Sequence, residues 1–152
     1  MTRYYINVII TLVSYHKIGG LGGRMKQWTI IYRSRYSAWF EKCGEDLQDE
    51  ILAHLEVLKV LGPTLGRPRV DHIKGSVRQN MKELRIQFKG DPVRSLFAFD
   101  PDRQAVLLLG GSKVGDKRWY DRNIPLADNE FTLHLKEMTK GLRKDKEKEK
   151  KQ

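Results

Sequence analysis

A single cysteine, Cys43, stands in a chain of 152 residues. No internal disulfide can form, so the fold must rest on its packed core, and a reducing cytoplasm is the expected location. Cys43 falls near the end of an expected helix and reads as a small apolar filler. Histidine is sparse too. His16, His54, His72 and His134 are scattered, without cysteine neighbours, so no metal site or other cofactor is expected. Long apolar runs are missing. The best of them, YYINVIITLVSY at Tyr4–Tyr15, is too short to cross about 30 Å of hydrocarbon. It has only Arg3 ahead of it and no small-residue cleavage site, so neither a membrane span nor a secretory signal is expected. Acid is the scarcer charge, with 19 Asp and Glu against 29 Lys and Arg and a formal net charge of +10. Such a surface suits a polyanionic partner: nucleic acid, the ribosome or an acidic protein. Salt-sensitive, non-specific attraction to phosphate is its default consequence.

The length suits one domain with a core of its own. Its ends read differently from its middle. Gly19-Gly20-Leu21-Gly22-Gly23 separates the first apolar stretch from Met25-Lys26-Gln27-Trp28, which has the character of a protein start. Residues 1–24 are therefore expected to be an extension outside the native chain, the alternative being a short strand or an interfacial segment, and residues 25–140 the folded domain. The run KGLRKDKEKEKKQ alternates in sign without apolar anchors, so residues 141–152 are expected to be a charged, solvated tail or fraying helix end.

Between these ends the elements are marked by period and punctuation. Trp28–Tyr32 is rich in β-branched and aromatic residues and predicts a strand. Ser34 or Ser37 can cap a helix carrying Trp39 and Phe40, with Gly44 ending it. In DLQDEILAHLEVLKVL, Leu47, Ile51, Leu55, Leu58 and Leu61 recur at helical spacing, acids crowd the first turn, and Gly62-Pro63 stops the run. His54 sits at the edge of that stripe and reads as a boundary residue. A short strand near Val70–Lys74 precedes three strong ones. MKELRIQF alternates Leu84, Ile86 and Phe88 with Glu83, Arg85 and Gln87. VRSLFAFD returns after Gly90-Asp91-Pro92, and AVLLLGG follows Asp100-Pro101-Asp102, its continuous apolar run predicting a strand covered on both faces. The connections are too short for parallel crossovers, so these three form an antiparallel meander. ADNEFTLHLKEMTKGL predicts a final helix capped by Asp128. The fold class is thus α+β, with two N-terminal helices on one face of the sheet and a helix at the C-terminus. The other face is left to Glu83, Arg85, Gln87 and Arg94, a basic concavity beside the segment Lys113–Tyr120.

At this point the residues resemble a known family. LGRPRVDHIKGSVRQNMKELRI, RSLFAFDPDRQAVLLLGGSKVGDKRWY and the following IPLAD resemble the RelE/ParE superfamily of bacterial toxins, nearest its phage-associated HigB-like branch. The resemblance covers Met25 to about Lys140. It implies a RelE-like, microbial-RNase-like fold and the toxin half of a type II toxin–antitoxin pair. Many relatives cleave mRNA in the ribosomal A site without a metal, whereas the ParE branch poisons DNA gyrase. Relatives are neutralised by a cognate antitoxin, in the HigB branch usually a helix-turn-helix protein. The expected partners are therefore that antitoxin, the ribosome and mRNA. A gyrase-directed toxin, or a phage-derived nucleic-acid-binding protein without activity, is the alternative.

Metal-free RNA cleavage needs a base for the 2′-hydroxyl, cations for the charge growing on phosphorus, and an acid for the leaving 5′-oxygen. Arg85 and Arg94 are the candidates for gripping the phosphate with paired donors. Lys113, which stands where relatives carry a cation, and Tyr120, which can stack or transfer a proton, complete the expected catalytic set. Lys82, Lys117 and Arg118 are expected to bind RNA. Some HigB-type relatives carry a histidine-rich site, but no histidine follows the Gly110-Gly111 strand here, which leaves the general base unassigned; His72 is the only histidine near the meander. Intact-mass measurement of natively expressed protein is expected to show a chain that starts at Met25. A mass that includes Met1 contradicts that start.

Overall fold

The computed structural model describes residues 26–151; the reading of residues 1–24 lies outside them. The elements run β1 (Thr29–Tyr32), α1 (Ser34–Lys42), α2 (Glu45–Leu61), a 3-10 turn (Gly62–Thr64), β2 (Val70–His72), β3 (Lys82–Phe88), β4 (Asp91–Phe99), β5 (Gln104–Ser112) and α3 (Trp119–Glu149). The sheet order is β1-β5-β4-β3-β2. As expected, β3, β4 and β5 form an antiparallel meander. β2 extends it on one side, and β1 adds a parallel strand on the other, beside β5. The two-helix connection from β1 crosses to the far edge and enters β2 in the opposite direction; three antiparallel steps later β5 runs the same way as β1 and pairs with it in parallel.

Alternation along the strands divides the core in two. On one face Leu84, Ile86, Val93, Phe97 and Leu107 pack against Tyr36 of α1 and Ile51, Leu55 and Leu58 of α2. This is the helical face read from the leucine stripe. On the other, Met81, Leu96, Ala98, Val106 and Leu108 pack against Trp119, Ile124, Ala127 and Phe131 of α3. The second face is thus not an open basic concavity, as its arginines suggest; α3 covers most of it, and only the end near Arg85 is left. α3 also begins nine residues before the expected cap. Asp116 Oδ1 accepts from the Arg118 amide at 3.1 Å and opens the helix. Pro125 stands inside it, lacking the N–H that would have bonded the carbonyl of Asp121, an exposed residue whose carbonyl water can reach. Asp128 is no cap. It is buried on α3 and accepts from Ser76 Oγ and, at 3.1 Å, from the Val77 amide, so it anchors the β2–β3 connection. Neither Ser34 nor Ser37 caps α1, since Arg33 occupies the N-cap position without a side-chain bond.

The Gly110-Gly111 pair makes this two-sided packing possible. Successive residues of a strand face opposite ways. A Cβ on Gly110 would lie 2.1 Å from the Trp39 ring of α1, and one on Gly111 would lie 2.9 Å from Trp119 Nε1 of α3. Each glycine leaves room for one indole. A register shift between Leu96 and Phe97 sits just before this point and puts the consecutive Leu108 and Leu109 into the same cluster. Gly110→Ala is expected to lower unfolding stability by about 1–3 kcal/mol through overpacking against Trp39. Chemical denaturation measures this, and an unchanged midpoint contradicts it.

Candidate active site

β3 and β4 pair in a register that places Arg85 opposite Arg94 and Gln87 opposite Pro92. On the next strand Gly111 stands opposite Arg94. Arg85 and Arg94 are therefore neighbours on the face that α3 covers, at the end where its first turn arrives. Trp119, seated on Gly111, is buried, and its indole meets the ring of Tyr120 edge-on at 5.2 Å. That seat aims the Tyr120 hydroxyl at the sheet.

The hydroxyl donates to Glu83 Oε2 at 2.6 Å. Glu83 is 5% exposed, and a carboxylate so buried must be paired. Arg94 Nε lies 3.6 Å from Oε2, and an Arg85 terminal nitrogen lies 3.7 Å from Oε1. Arg94 also donates to the Val93 carbonyl at 3.0 Å, yet its Nε finds no hydrogen-bond partner among the described residues. Arg85, a third exposed, reaches further to Asp71 Oδ2 at 3.5 Å, and Asp71 accepts from Arg67 Nε at 2.9 Å. Charges thus alternate across three strands, from Arg67 at the sheet edge to Arg94 inside. Lys113 joins the cluster from the β5–α3 segment. Its amide donates to the Pro92 carbonyl at 3.1 Å, and its Nζ stands 5.3 Å from the centre of the Tyr120 ring.

Burial, and then the bond to Glu83, push the Tyr120 hydroxyl up to about 12, with Arg94 opposing. The phenol keeps its proton at neutral pH and is a donor there, not a base.

Four residues expected to be catalytic, Arg85, Arg94, Lys113 and Tyr120, thus meet in one place, though Arg94 is 5% exposed and lies beneath the others. Lys117 and Arg118 are exposed on the adjoining loop. Lys82 is elsewhere. It pairs opposite Phe97 and stands over the Phe99 ring at 5.4 Å, on the face that carries α1 and α2. His72 is exposed on β2. His54 touches Arg69 at 3.4 Å on α2's side; burial, and then Arg69, push it down to about 4, which leaves it neutral. Sequence reasoning left two members without a role, Glu83 and Asp71. For Glu83 the signal was present: it lies two residues before Arg85 on an alternating strand, hence on the same face. Asp71 joins only through the β2–β3 register, which no local pattern announces.

Residues 38–132 match the family model described as "Phage derived protein Gp49-like". The chain belongs to this family. Two curated relatives of this Gp49-like chain come from Mycobacterium tuberculosis (strain ATCC 25618 / H37Rv). One, named as a candidate toxin HigB3, is 49% identical over 100 residues, which are 65% of this chain and 86% of the relative. The other, named as a candidate toxin HigB2, is 47% identical over 103 residues, which are 66% of this chain and 51% of the relative, so the chain spans about half of HigB2's length. The phage-associated, HigB-like part of the resemblance is thereby borne out. A solved structure of a mutant of the E. coli toxin RelE in the free state has a TM-score of 0.46 and 9% identity, covering 60% of this chain and 88% of its own. Among the described residues no helix is long and apolar enough to cross a membrane.

The raised Tyr120 group favours the fold while it stays protonated. Its contribution is expected in full below about pH 10 and to fade as pH climbs through about 12. Ultraviolet titration of the phenols should show a late component near pH 12 that Tyr120→Phe removes, while the still later titration of the buried Tyr36 stays; loss of only an ordinary component near pH 10 contradicts the buried pairing with Glu83.

Proposed function

We propose that this Gp49-like protein is the toxin of a type II toxin–antitoxin system and acts as a ribosome-dependent, metal-free mRNA endoribonuclease. The observation that carries this reading is the gathering of Arg85, Lys113 and Tyr120 around the buried Glu83–Arg94 pair. The names of the HigB relatives support the toxin role.

Each group can be given a part. Arg85 and Lys113 are half-buried cations that can hold the scissile phosphate and the charge that builds on its oxygens. Arg94 acts from beneath by holding Glu83 and keeping the local potential positive. Glu83 is the one carboxylate at the centre and can take the 2′-hydroxyl proton. The 2′-oxygen then bonds to phosphorus, the bond from phosphorus to the 5′-oxygen breaks, and that oxygen takes a proton from an acid such as Tyr120. The products are a 2′,3′-cyclic phosphate and a 5′-hydroxyl. Tyr120 with its hydroxyl held near pKa 12 is a weak acid in the resting site; the leaving 5′-oxygen, far more basic as its bond to phosphorus breaks, can still draw its proton. Lys117 and Arg118 can hold flanking phosphates. Lys82, on the far side of the sheet, can serve only a strand that wraps the β2 edge. Alignment by the ribosome supplies the positioning that a sparse site of this kind lacks, an effect of several kcal/mol. The partner that silences the toxin is an antitoxin whose acidic segment covers the basic face.

Brief induction in cells, followed by primer extension on abundant messages, is expected to show cuts inside translated codons. Arg85→Ala should weaken cleavage by about 10²–10³-fold, and Tyr120→Phe by about 10²–10⁴-fold, with circular dichroism unchanged. Intact messages accompanied by DNA breaks would point to gyrase instead.

A further inference from the structure

α3 does two things along its 31 residues. Its first half closes the core through Trp119, Ile124, Ala127 and Phe131. Its last buried residue is His134, and every residue from Thr139 to Lys151 is exposed. Leu135 and Met138 are still partly covered, but Leu142, next on the same line of the helix, is 62% exposed. By Leu142 the helix has left the body of the protein. At about 1.5 Å per residue the helix is roughly 45 Å long, and its charged end lies about 30 Å or more from Tyr120.

The charge on that projecting part is uneven. Lys136–Lys151 holds eight Lys and Arg against four Asp and Glu. One of the acids, Glu137, is engaged by Arg33 of the body, with a terminal nitrogen 2.6 Å from its carboxylate. At 3.6 residues per turn, Lys136, Lys140, Arg143, Lys144 and Lys151 fall on the side away from Leu135, Met138 and Leu142. Asp145 and Glu149 fall on the leucine side. Glu147 interrupts the basic face, and Glu137, tied to Arg33, lies at its border. The helix therefore presents a stripe of cations outward, continuous with the element that carries Trp119 and Tyr120 and separated from the candidate active site by tens of ångströms. A short single-stranded substrate held at Arg85 cannot reach it. A large folded polyanion can touch both ends at once.

We propose that the outward face of the distal α3, centred on Lys140, Arg143 and Lys144, is a docking arm for phosphates of folded RNA. The inference rests on the ribosome-dependent reading above: ribosomal RNA is the folded polyanion that reading supplies, while the arm takes no part in the chemistry. Several weak phosphate contacts on one rigid helix add affinity and orientation without sequence preference.

The test is direct binding of the full chain to purified ribosomes across a salt series, with no readout of cleavage. A variant carrying Lys140→Glu, Arg143→Glu and Lys144→Glu keeps every core contact, and a thermal melt checks its fold. Ribosome affinity at moderate salt should fall by at least about tenfold, and the slope of log affinity against log salt should flatten by about 2–3. Binding to a short single-stranded oligonucleotide should stay the same. If the parent chain binds ribosomes and the variant binds equally well with the same slope, the arm inference is overturned and the nuclease reading stands. If the parent chain does not bind ribosomes at all, the reading beneath it falls as well. If the variant loses only binding to an acidic protein partner such as the antitoxin, the surface belongs to that partner and the RNA assignment is wrong.

Discussion

Trp119 rests on Gly111 with no side chain between them, and the site depends on that contact. It seats the start of α3 on the sheet, and the next residue is Tyr120, whose hydroxyl then meets Glu83. On the opposite face Gly110 admits Trp39 in the same manner. Two glycines in succession cost β5 conformational entropy and side-chain contacts at its end. In return the strand carries an indole on each side, and both helical layers can approach it. The sequence stretch where an apolar run gives way to cations is thus a packing joint first, and the cations beyond it inherit their positions from the joint.

Electrostatics then determine what the joint can hold. A buried carboxylate beside two arginines is a costly arrangement, because desolvation rivals the attraction between the charges. Removing one partner of such a pair costs about 3–5 kcal/mol, whereas apolar replacement of the whole group is often neutral. Stability alone therefore gives little reason to place Glu83 and Arg94 inside. Arg94 Nε points the same way: it faces Glu83 as an ion-pair partner at 3.6 Å but makes no hydrogen bond, one of two such buried side-chain atoms among the described residues. A cluster with a retained phenolic proton and two half-buried cations suits the phosphate-binding role proposed for it.

Much of this was legible from residue order. The period-2 pattern of Lys82–Phe88, a turn signalled at Gly90-Asp91-Pro92 and the continuous run of β5 define the meander and bring Arg85 and Arg94 together, although the turn itself falls at Lys89-Gly90 and Asp91 and Pro92 already belong to β4. The leucine stripe gives α2 and the face it covers. The start of α3 was not legible, because Pro125 reads as a helix boundary while Asp116, the residue that opens the helix, sits in a stretch that looks like loop. With that start misplaced, the second face looked open, and Arg94 looked exposed when it is buried. Glu83 was visible as a same-face neighbour but took its weight only once Tyr120 was placed. Strand partners far apart in sequence, such as Asp71 and Glu83, lie beyond what local pattern can give.

The chemistry proposed for this cluster is a phosphoryl transfer through the 2′-oxygen. The most direct measurement is the end chemistry of RNA recovered from translating ribosomes after incubation with the pure protein and chelator. The account predicts new ends that pair a 2′,3′-cyclic phosphate with a 5′-hydroxyl, absent when Glu83→Gln replaces the parent chain. Ends bearing a 5′-phosphate, or cyclic ends undiminished in Glu83→Gln, would contradict it.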